Sequence, residues 1–212
     1  SRRPTVAIAG ATGFVGTAVR AALQDAYALV GLTRSPVRAE KNASAPEEWR
    51  HCYLFDPYAV REGLRGADYA IYLVHSMLPT ARLTQARAAD LDLLQADNFA
   101  RAAEAEGVQQ ILYLGALVPE ESPALPGPLR RRLEVERALA STSVPLTTLR
   151  AGLIVGRGGT WLRLLLNLVH RLPAMVLPSW TLAETQPIAR RDVVRGLARV
   201  LGNEEAYGAT YD

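Results

Sequence analysis

Three glycines, Gly10, Gly13 and Gly16, recur at every third position in the run Gly10-Ala11-Thr12-Gly13-Phe14-Val15-Gly16, directly behind the apolar stretch Val6-Ala7-Ile8-Ala9. A buried strand that turns sharply into a helix presents unpaired backbone N–H groups and the positive end of the helix dipole to an anion. Gly10 permits the tight turn, and Gly13 leaves room for a phosphate to approach the backbone. Gly16 lets the following helix, expected over Phe14 to Gln24, lie close to the sheet. The pattern predicts a dinucleotide whose pyrophosphate rests on Gly10, Thr12, Gly13, Phe14, Val15 and Gly16.

The next apolar run closes with Gly31-Leu32-Thr33-Arg34-Ser35. In NAD-specific folds a carboxylate about 20 residues beyond the glycines accepts hydrogen bonds from the adenosine ribose and repels a 2'-phosphate. Here the edge carries no acid. Arg34 can fork onto a phosphate, with the Thr33 and Ser35 hydroxyls as donors beside it, so NADP(H) is expected in preference to NAD(H). Arg38 either adds a second charge or is simply solvated.

The elements that must position these groups alternate strand and helix. Six strands are expected: Thr5–Ala9, Ala28–Thr33, His51–Leu54, Tyr69–Val74, Gln110–Leu114 and Leu146–Arg150. The longest helix is expected from Ala86 to Glu106, with Gly107 as its left-handed cap. Such alternation predicts an α/β fold of the Rossmann type, a doubly wound parallel sheet of six or seven strands with helices on both faces, in a single domain over 1–212. Ligands of such sheets lie outside the carboxyl ends of the strands. Leu54, Val74 and His75, at the ends of strands three and four, therefore join the expected cofactor-binding set. Beyond strand six come an amphipathic helix around Trp161 to Arg171, a stretch punctuated by Pro173, Pro178 and Pro187, and a last helix from about Asp192. Residues 152–190 are the expected cover of a substrate pocket. The apolar stripe at 161, 162, 165, 168 and 169 fits core packing, a pocket lid or a subunit contact.

Composition excludes several classes. Apolar residues make up 49% of 212 residues and the formal net charge is +3, a basic excess too small and too evenly spread for a nucleic-acid surface. The single cysteine, Cys52, rules out an internal disulfide framework and fits a reducing compartment, so a cytoplasmic location is expected. The most apolar run, Trp161 to Val169, contains Arg163 and Asn167 and falls far short of the roughly 20 residues of a membrane span. No signal peptide is expected before Val6. His51 and His170 lack companions at ligand spacing, so no metal is expected.

The run Gly-Ala-Thr-Gly-Phe-Val-Gly resembles the fingerprint of the atypical and extended short-chain dehydrogenase/reductase families. Tyr72-Leu73-Val74-His75-Ser76-Met77, Ile111-Leu112-Tyr113-Leu114-Gly115, Leu133-Glu134-Val135-Glu136, Leu149-Arg150-Ala151-Gly152 and Gln186-Pro187-Ile188-Ala189 narrow the resemblance. They are similar to bacterial NAD(P)H-binding proteins related to the NmrA-like group, over nearly the whole chain. Relatives usually continue past the last helix, and Tyr211-Asp212 resembles the start of another strand. The resemblance implies a serine after strand five and a Tyr-x-x-x-Lys in the next helix, where the tyrosine handles the proton and the lysine lowers its pKa and holds the ribose. This chain has Gly115-Ala116-Leu117, Pro128 and Arg132 there instead. Arg132 can still hydrogen-bond a ribose but does not readily yield a proton. The acid that often contacts adenine aligns on Tyr53, with Asp56 three residues late.

Asp56 before Pro57 is also the expected N-cap and first-turn pair of a helix. Tyr113 fits a core or crevice wall better than a proton donor. His75 lines the crevice, acts as acid or base, or is structural. Arg130-Arg131-Arg132 fits a solvated helix face, or one member besides Arg132 meets an anionic substrate. No catalytic residue is assigned. Two functions stay open: an NADP(H)-dependent oxidoreductase acting on a small, lipophilic carbonyl or quinone-like substrate, and a non-catalytic NADP(H) sensor or scaffold with a cofactor-dependent protein partner.

Overall fold

The computed structural model describes residues 2–35, 48–74, 88–118, 127–159 and 186–212. The strand β1 (Thr5–Ala9) is buried at every position, as a strand covered on both faces must be. It is flanked by β2 (Ala28–Thr33) and, across the switch point, by β4 (Tyr69–Tyr72). Beyond them lie β3 (Glu48–His51) on one side and β5 (Gln110–Ala116), β6 (Leu146–Ala151) and β9 (Thr210–Tyr211) on the other. The seven-stranded sheet runs β3-β2-β1-β4-β5-β6-β9, parallel throughout. A separate parallel pair joins β7 (Leu153–Val155) to β8 (Pro187–Ala189).

Alternate residues of each strand face opposite ways, and each face has its own helices. Ala7, Ala9, Val30, Leu32, Tyr72 and Tyr113 pack with Val60 and Leu64 of α2 (Pro57–Leu64), Phe99 of α3 (Ala88–Ala105) and Leu139 of α4 (Gly127–Leu139). Val6, Ile8, Leu29, Ile71 and Leu112 pack with Val19 and Leu23 of α1 (Gly16–Leu23) and with Val193, Val194 and Leu197 of α5 (Arg190–Val200). This is the doubly wound sheet that the alternation predicted.

Several boundaries differ from expectation. The third strand lies at Glu48–His51 rather than His51–Leu54, because Tyr53 to Asp56 are spent on a turn. The Asp56 N–H donates to the Tyr53 carbonyl at 2.8 Å, and the Asp56 carboxylate caps α2 by accepting from the N–H groups of Tyr58 and Ala59 at 2.9 and 3.3 Å. The helix-cap reading of Asp56 is thus correct. Strand four ends at Tyr72 and strand five runs on to Ala116. The first helix begins at Gly16 rather than Phe14, and the last at Arg190 rather than Asp192. The long helix spans Ala88–Ala105, and Gly107 takes the left-handed conformation at φ 71°. Arg38, His75, His170, the stripe from Trp161, Pro173 and Pro178 lie outside the described residues.

Gln110, fully buried at the amino end of β5, ties the C-terminal elements to the sheet. Its Nε2 donates to Thr147 Oγ1 at 2.8 Å and to the Val200 carbonyl at 3.0 Å, while its Oε1 accepts from the Gly202 N–H at 2.8 Å. Thr147 Oγ1 in turn donates to the Ala206 carbonyl at 2.6 Å. Leucine fills a similar volume but leaves the Gly202 N–H without its partner and the Val200 carbonyl with the Asn203 N–H at 3.3 Å alone. Gln110→Leu is expected to lower unfolding free energy by about 1–3 kcal/mol, the cost of leaving one part-buried N–H unpaired, in urea titration followed by circular dichroism. A loss below the measurement error would mean that water replaces the side chain.

Candidate cofactor site

The turn after β1 lies at the carboxyl edge of the sheet, between β2 and β4, where open α/β sheets bind ligands. Gly10 has φ 85°, a conformation that costs any side-chain-bearing residue, and a Cβ there would stand 3.0 Å from the Leu73 carbonyl group. Its own carbonyl accepts from the Gly13 N–H at 2.9 Å and closes the turn. A Cβ on Gly16 would press into the Gly10 carbonyl and sit 2.9 Å from Ala11 Cα. Gly16 is therefore required by the turn itself, a closer constraint than the expected helix-to-sheet approach.

Gly13 differs from both. Its φ is not in the left-handed region, and among the described residues, its chain neighbours aside, the one atom a Cβ would meet within 4 Å is the Gly10 carbonyl oxygen at 3.2 Å. The protein around Gly13 thus needs no glycine beyond a few tenths of an ångström, and the space kept free faces solvent. Thr12 and Gly13 are exposed, whereas Ala11 and Gly16 are buried. The N-cap of α1 is Val15, with no side-chain cap and no acid in the first turn. An open helix N-terminus beside an uncrowded glycine fits a pyrophosphate.

Two arginines outside the motif hold this turn. Arg20 Nη1 donates to the Ala11 carbonyl at 3.4 Å, and its guanidinium lies 4.6 Å over the Trp49 ring. That ring occupies the space above Gly31, where a Cβ would meet it at 2.6 Å. Arg190 Nη1 donates to the Phe14 carbonyl at 3.2 Å, with its guanidinium 4.6 Å from the Phe14 ring centre. Sequence reasoning missed Arg20, Trp49 and Arg190. Arg190 did leave one signal, a cation in a helix's first turn, where the dipole disfavours it.

At the end of β2, Thr33 is buried while Arg34 and Ser35 are exposed. Thr33 Oγ1 accepts from the Ser35 N–H at 3.1 Å, which keeps the hydroxyl proton for another acceptor. The Cys52 N–H donates to the Thr33 carbonyl at 2.8 Å, so Tyr53 follows beside Arg34 at the same edge. Tyr53 is half exposed and meets Phe55 with ring centres 5.2 Å apart. Leu54 turns its side chain into the core, and its carbonyl accepts from Asn98 Nδ2 at 3.0 Å.

Toward the other end of the site, Val74 packs on the core beside the turn. Tyr113 is fully buried and its hydroxyl donates to the Arg132 carbonyl at 3.3 Å. Burial pushes that phenol up to about 12, and Tyr72 in the same aromatic cluster is raised still further. Both are core residues. Burial, aided by Asp56, likewise pushes the Cys52 thiol up to about 12, so it stays protonated. Pro128 is exposed near the start of α4, one turn before Arg132. A Cβ on Gly115 would meet Thr148 Cγ2 and Tyr113 Cε1 at 3.3 Å, a tight fit for a serine. The chain's one lysine, Lys41, lies outside the described residues. Among the described residues no cluster of three His, Cys, Asp or Glu could hold a metal ion, and no helix is long and apolar enough to cross a membrane.

The family model for NAD(P)H-binding proteins matches residues 10–163. The auxiliary protein GraX of Staphylococcus aureus is 29% identical over 112 residues, 53% of this chain and 36% of that protein. The (4-alkanoyl-5-oxo-2,5-dihydrofuran-3-yl)methyl phosphate reductase of Streptomyces griseus is 30% identical over 156 residues, 74% of this chain and 50% of that protein. The chain thus spans at most about half the length of these curated relatives. Among solved structures, Citrobacter triphenylmethane reductase complexed with NADP(H) matches with a TM-score of 0.73 at 24% identity, over 98% of this chain and 68% of that one. The Escherichia coli NADPH-dependent quinone oxidoreductase QOR2, complexed with NADPH, matches with a TM-score of 0.69 at 23% identity, over 97% and 68%. At these identities the two structures share the fold with this chain. The matched span starts at the first glycine of the turn and covers most of the chain, which belongs to the NAD(P)H-binding family.

Proposed function

We propose that this protein is an NADP(H)-preferring reductase of small, lipophilic carbonyl or quinone-like compounds. The observation that carries the reading is the space over Gly13, which the fold leaves open and a dinucleotide's pyrophosphate would fill. Arg34 and Ser35, exposed at the end of β2 in a run, Gly31 to Ser35, that holds no carboxylate, supply the donors for a 2'-phosphate. The reductase and oxidoreductase names among the similar proteins support a redox role.

The bound nicotinamide supplies the hydride. The chain's part is to hold the cofactor and substrate in register. With a proline at the usual tyrosine position and an arginine at the usual lysine position, the proton that completes reduction comes from water or from the substrate's own acidic group. Reduction then suits electron-poor acceptors whose reduced anion is already stabilised. The residues point to a soluble protein of a reducing compartment, the cytoplasm.

A second reading rests on the same missing serine, tyrosine and lysine: a sensor that distinguishes NADPH from NADP and passes the state to a protein partner. GraX, itself an auxiliary protein, lends it support. Single-turnover oxidation of bound NADPH against quinones, enones and aldehydes separates the two. Acceleration by at least one acceptor class is expected. Tight NADPH binding with no acceleration by any compound would replace the enzyme with the sensor.

Two substitutions test the cofactor assignment. Gly13→Val is expected to abolish NADPH binding, followed by its fluorescence, with an unchanged circular dichroism spectrum. Full affinity in the folded variant would place the phosphates elsewhere. Parent protein is expected to bind NADPH more tightly than NADH, and Arg34→Ala to lose on the order of 10- to 150-fold toward NADPH, the value of one charge-assisted hydrogen bond. Tighter binding of NADH by the parent would refute the preference.

A further inference from the structure

Phe14 is held from two sides by elements more than 140 residues away. Arg190, the first residue of α5, stacks its guanidinium on the ring and donates to the Phe14 carbonyl at 3.2 Å. On another side stands the turn Gly156-Arg157-Gly158-Gly159, closed by the Gly159 N–H donating to the Gly156 carbonyl at 3.1 Å. A Cβ on Gly156 would meet Phe14 Cζ at 3.3 Å and Arg190 Cβ at 3.2 Å, and one on Gly159 would meet Phe14 Cζ at 3.2 Å. Glycines at both positions let this turn close on the ring.

The Phe14 carbonyl shares its peptide unit with the Val15 N–H. A trans peptide is planar, so its C=O and N–H point in opposite directions, and fixing one fixes the other. Arg190 pulls the carbonyl toward α5 and thereby turns the Val15 N–H the other way. Val15 is the N-cap of α1, and no side chain caps that helix end. Among the described residues the other side chain that reaches the Phe14 carbonyl is Thr17, whose Oγ1 donates to the Gly13 carbonyl at 3.0 Å and to the Phe14 carbonyl at a longer 3.4 Å, so Arg190 supplies the shorter bond.

We propose that Arg190 is a positioning residue of the cofactor site, which sets the Phe14–Val15 peptide so that the Val15 N–H is aimed at the pyrophosphate. The proposal rests on the seat assigned above to the dinucleotide. It makes the last helix and the Gly156–Gly159 turn part of the phosphate cradle without touching the ligand themselves. It also gives the cation at the start of α5 a purpose that its own helix dipole opposes. Arg190 uses both guanidinium properties, a flat face for the ring and an in-plane donor for the carbonyl, which a lysine ammonium cannot combine.

The test compares two ligands on the parent, Arg190→Ala and Arg190→Lys: NADPH, which spans the turn, and adenosine 2'-monophosphate, which has no 5'-phosphate to reach it. Arg190→Ala is expected to weaken NADPH about tenfold while adenosine 2'-monophosphate changes less than about twofold, with Arg190→Lys between parent and alanine. The Val15 amide of the free protein, read by nuclear magnetic resonance, is expected to shift and to exchange faster in Arg190→Ala. Gly156→Val keeps Arg190 and Phe14 but wedges them apart, and is expected to reproduce the selective loss if Arg190→Ala fails to fold. Equal losses for both ligands, or an unchanged NADPH affinity, would overturn the positioning role. A parent that binds neither ligand would refute the cofactor assignment instead.

Discussion

Everything at the carboxyl edge of this sheet depends on how tightly the chain turns as it leaves β1. The strand ends against β4, whose next residue, Leu73, donates its N–H to the Ala9 carbonyl at 2.9 Å. The turn must therefore bend away at once, with Gly10 in the left-handed region and no Cβ to strike the Leu73 carbonyl. Gly16 then lies so close over the Gly10 carbonyl that α1 can begin only there. The three-residue spacing of the glycines follows from that geometry. Two of them serve the backbone, and the third keeps an opening.

The sheet's interior was legible in the sequence because its strands are buried on both faces. Val6 to Ala9, Ala28 to Leu32 and Ile111 to Leu114 form apolar runs bounded by turn residues, and their order determined the topology. The third strand was misplaced because it is an edge strand. Glu48, Arg50 and His51 face solvent or ion pairs, among them Arg50 with Glu48 at 2.7 Å, so the apolar signal passed to the turn that follows. The β7–β8 pair is three residues per strand, too short for any periodicity to register. Arg20 and Arg190 were hidden for another reason. Each acts through a carbonyl of the glycine turn, and a bond to a backbone oxygen leaves no mark on the residue type of its acceptor.

The other end of the site shows chemistry replaced by packing. At the position where the resemblance implies a serine, Gly115 leaves room for Thr148 and Tyr113, and the phenol of Tyr113 spends its proton on the Arg132 carbonyl. The aromatic cluster of Tyr72, Phe99 and Tyr113, with ring centres 5.0 to 6.3 Å apart, forms a firm floor with no exposed hydroxyl. Packed in the core, the cluster keeps the carboxyl ends of β4 and β5 rigid. It serves a reaction driven by orientation, and it serves equally well a site that only grips its ligand.

The contact between Arg190 and Phe14 joins residues 176 positions apart, and the bonds of Gln110 to Val200 and Gly202 close loops of 90 and 92. Contacts of such long sequence separation form late, because the chain between them must first be brought to order. During synthesis, strands β1 to β6 can assemble as the chain emerges, but the glycine turn acquires its last support only when α5 leaves the ribosome. A nascent chain therefore carries the visible cofactor motif long before it has a finished seat for the ligand. Completion of the turn's support waits on the emergence of α5 rather than on the folding of the motif.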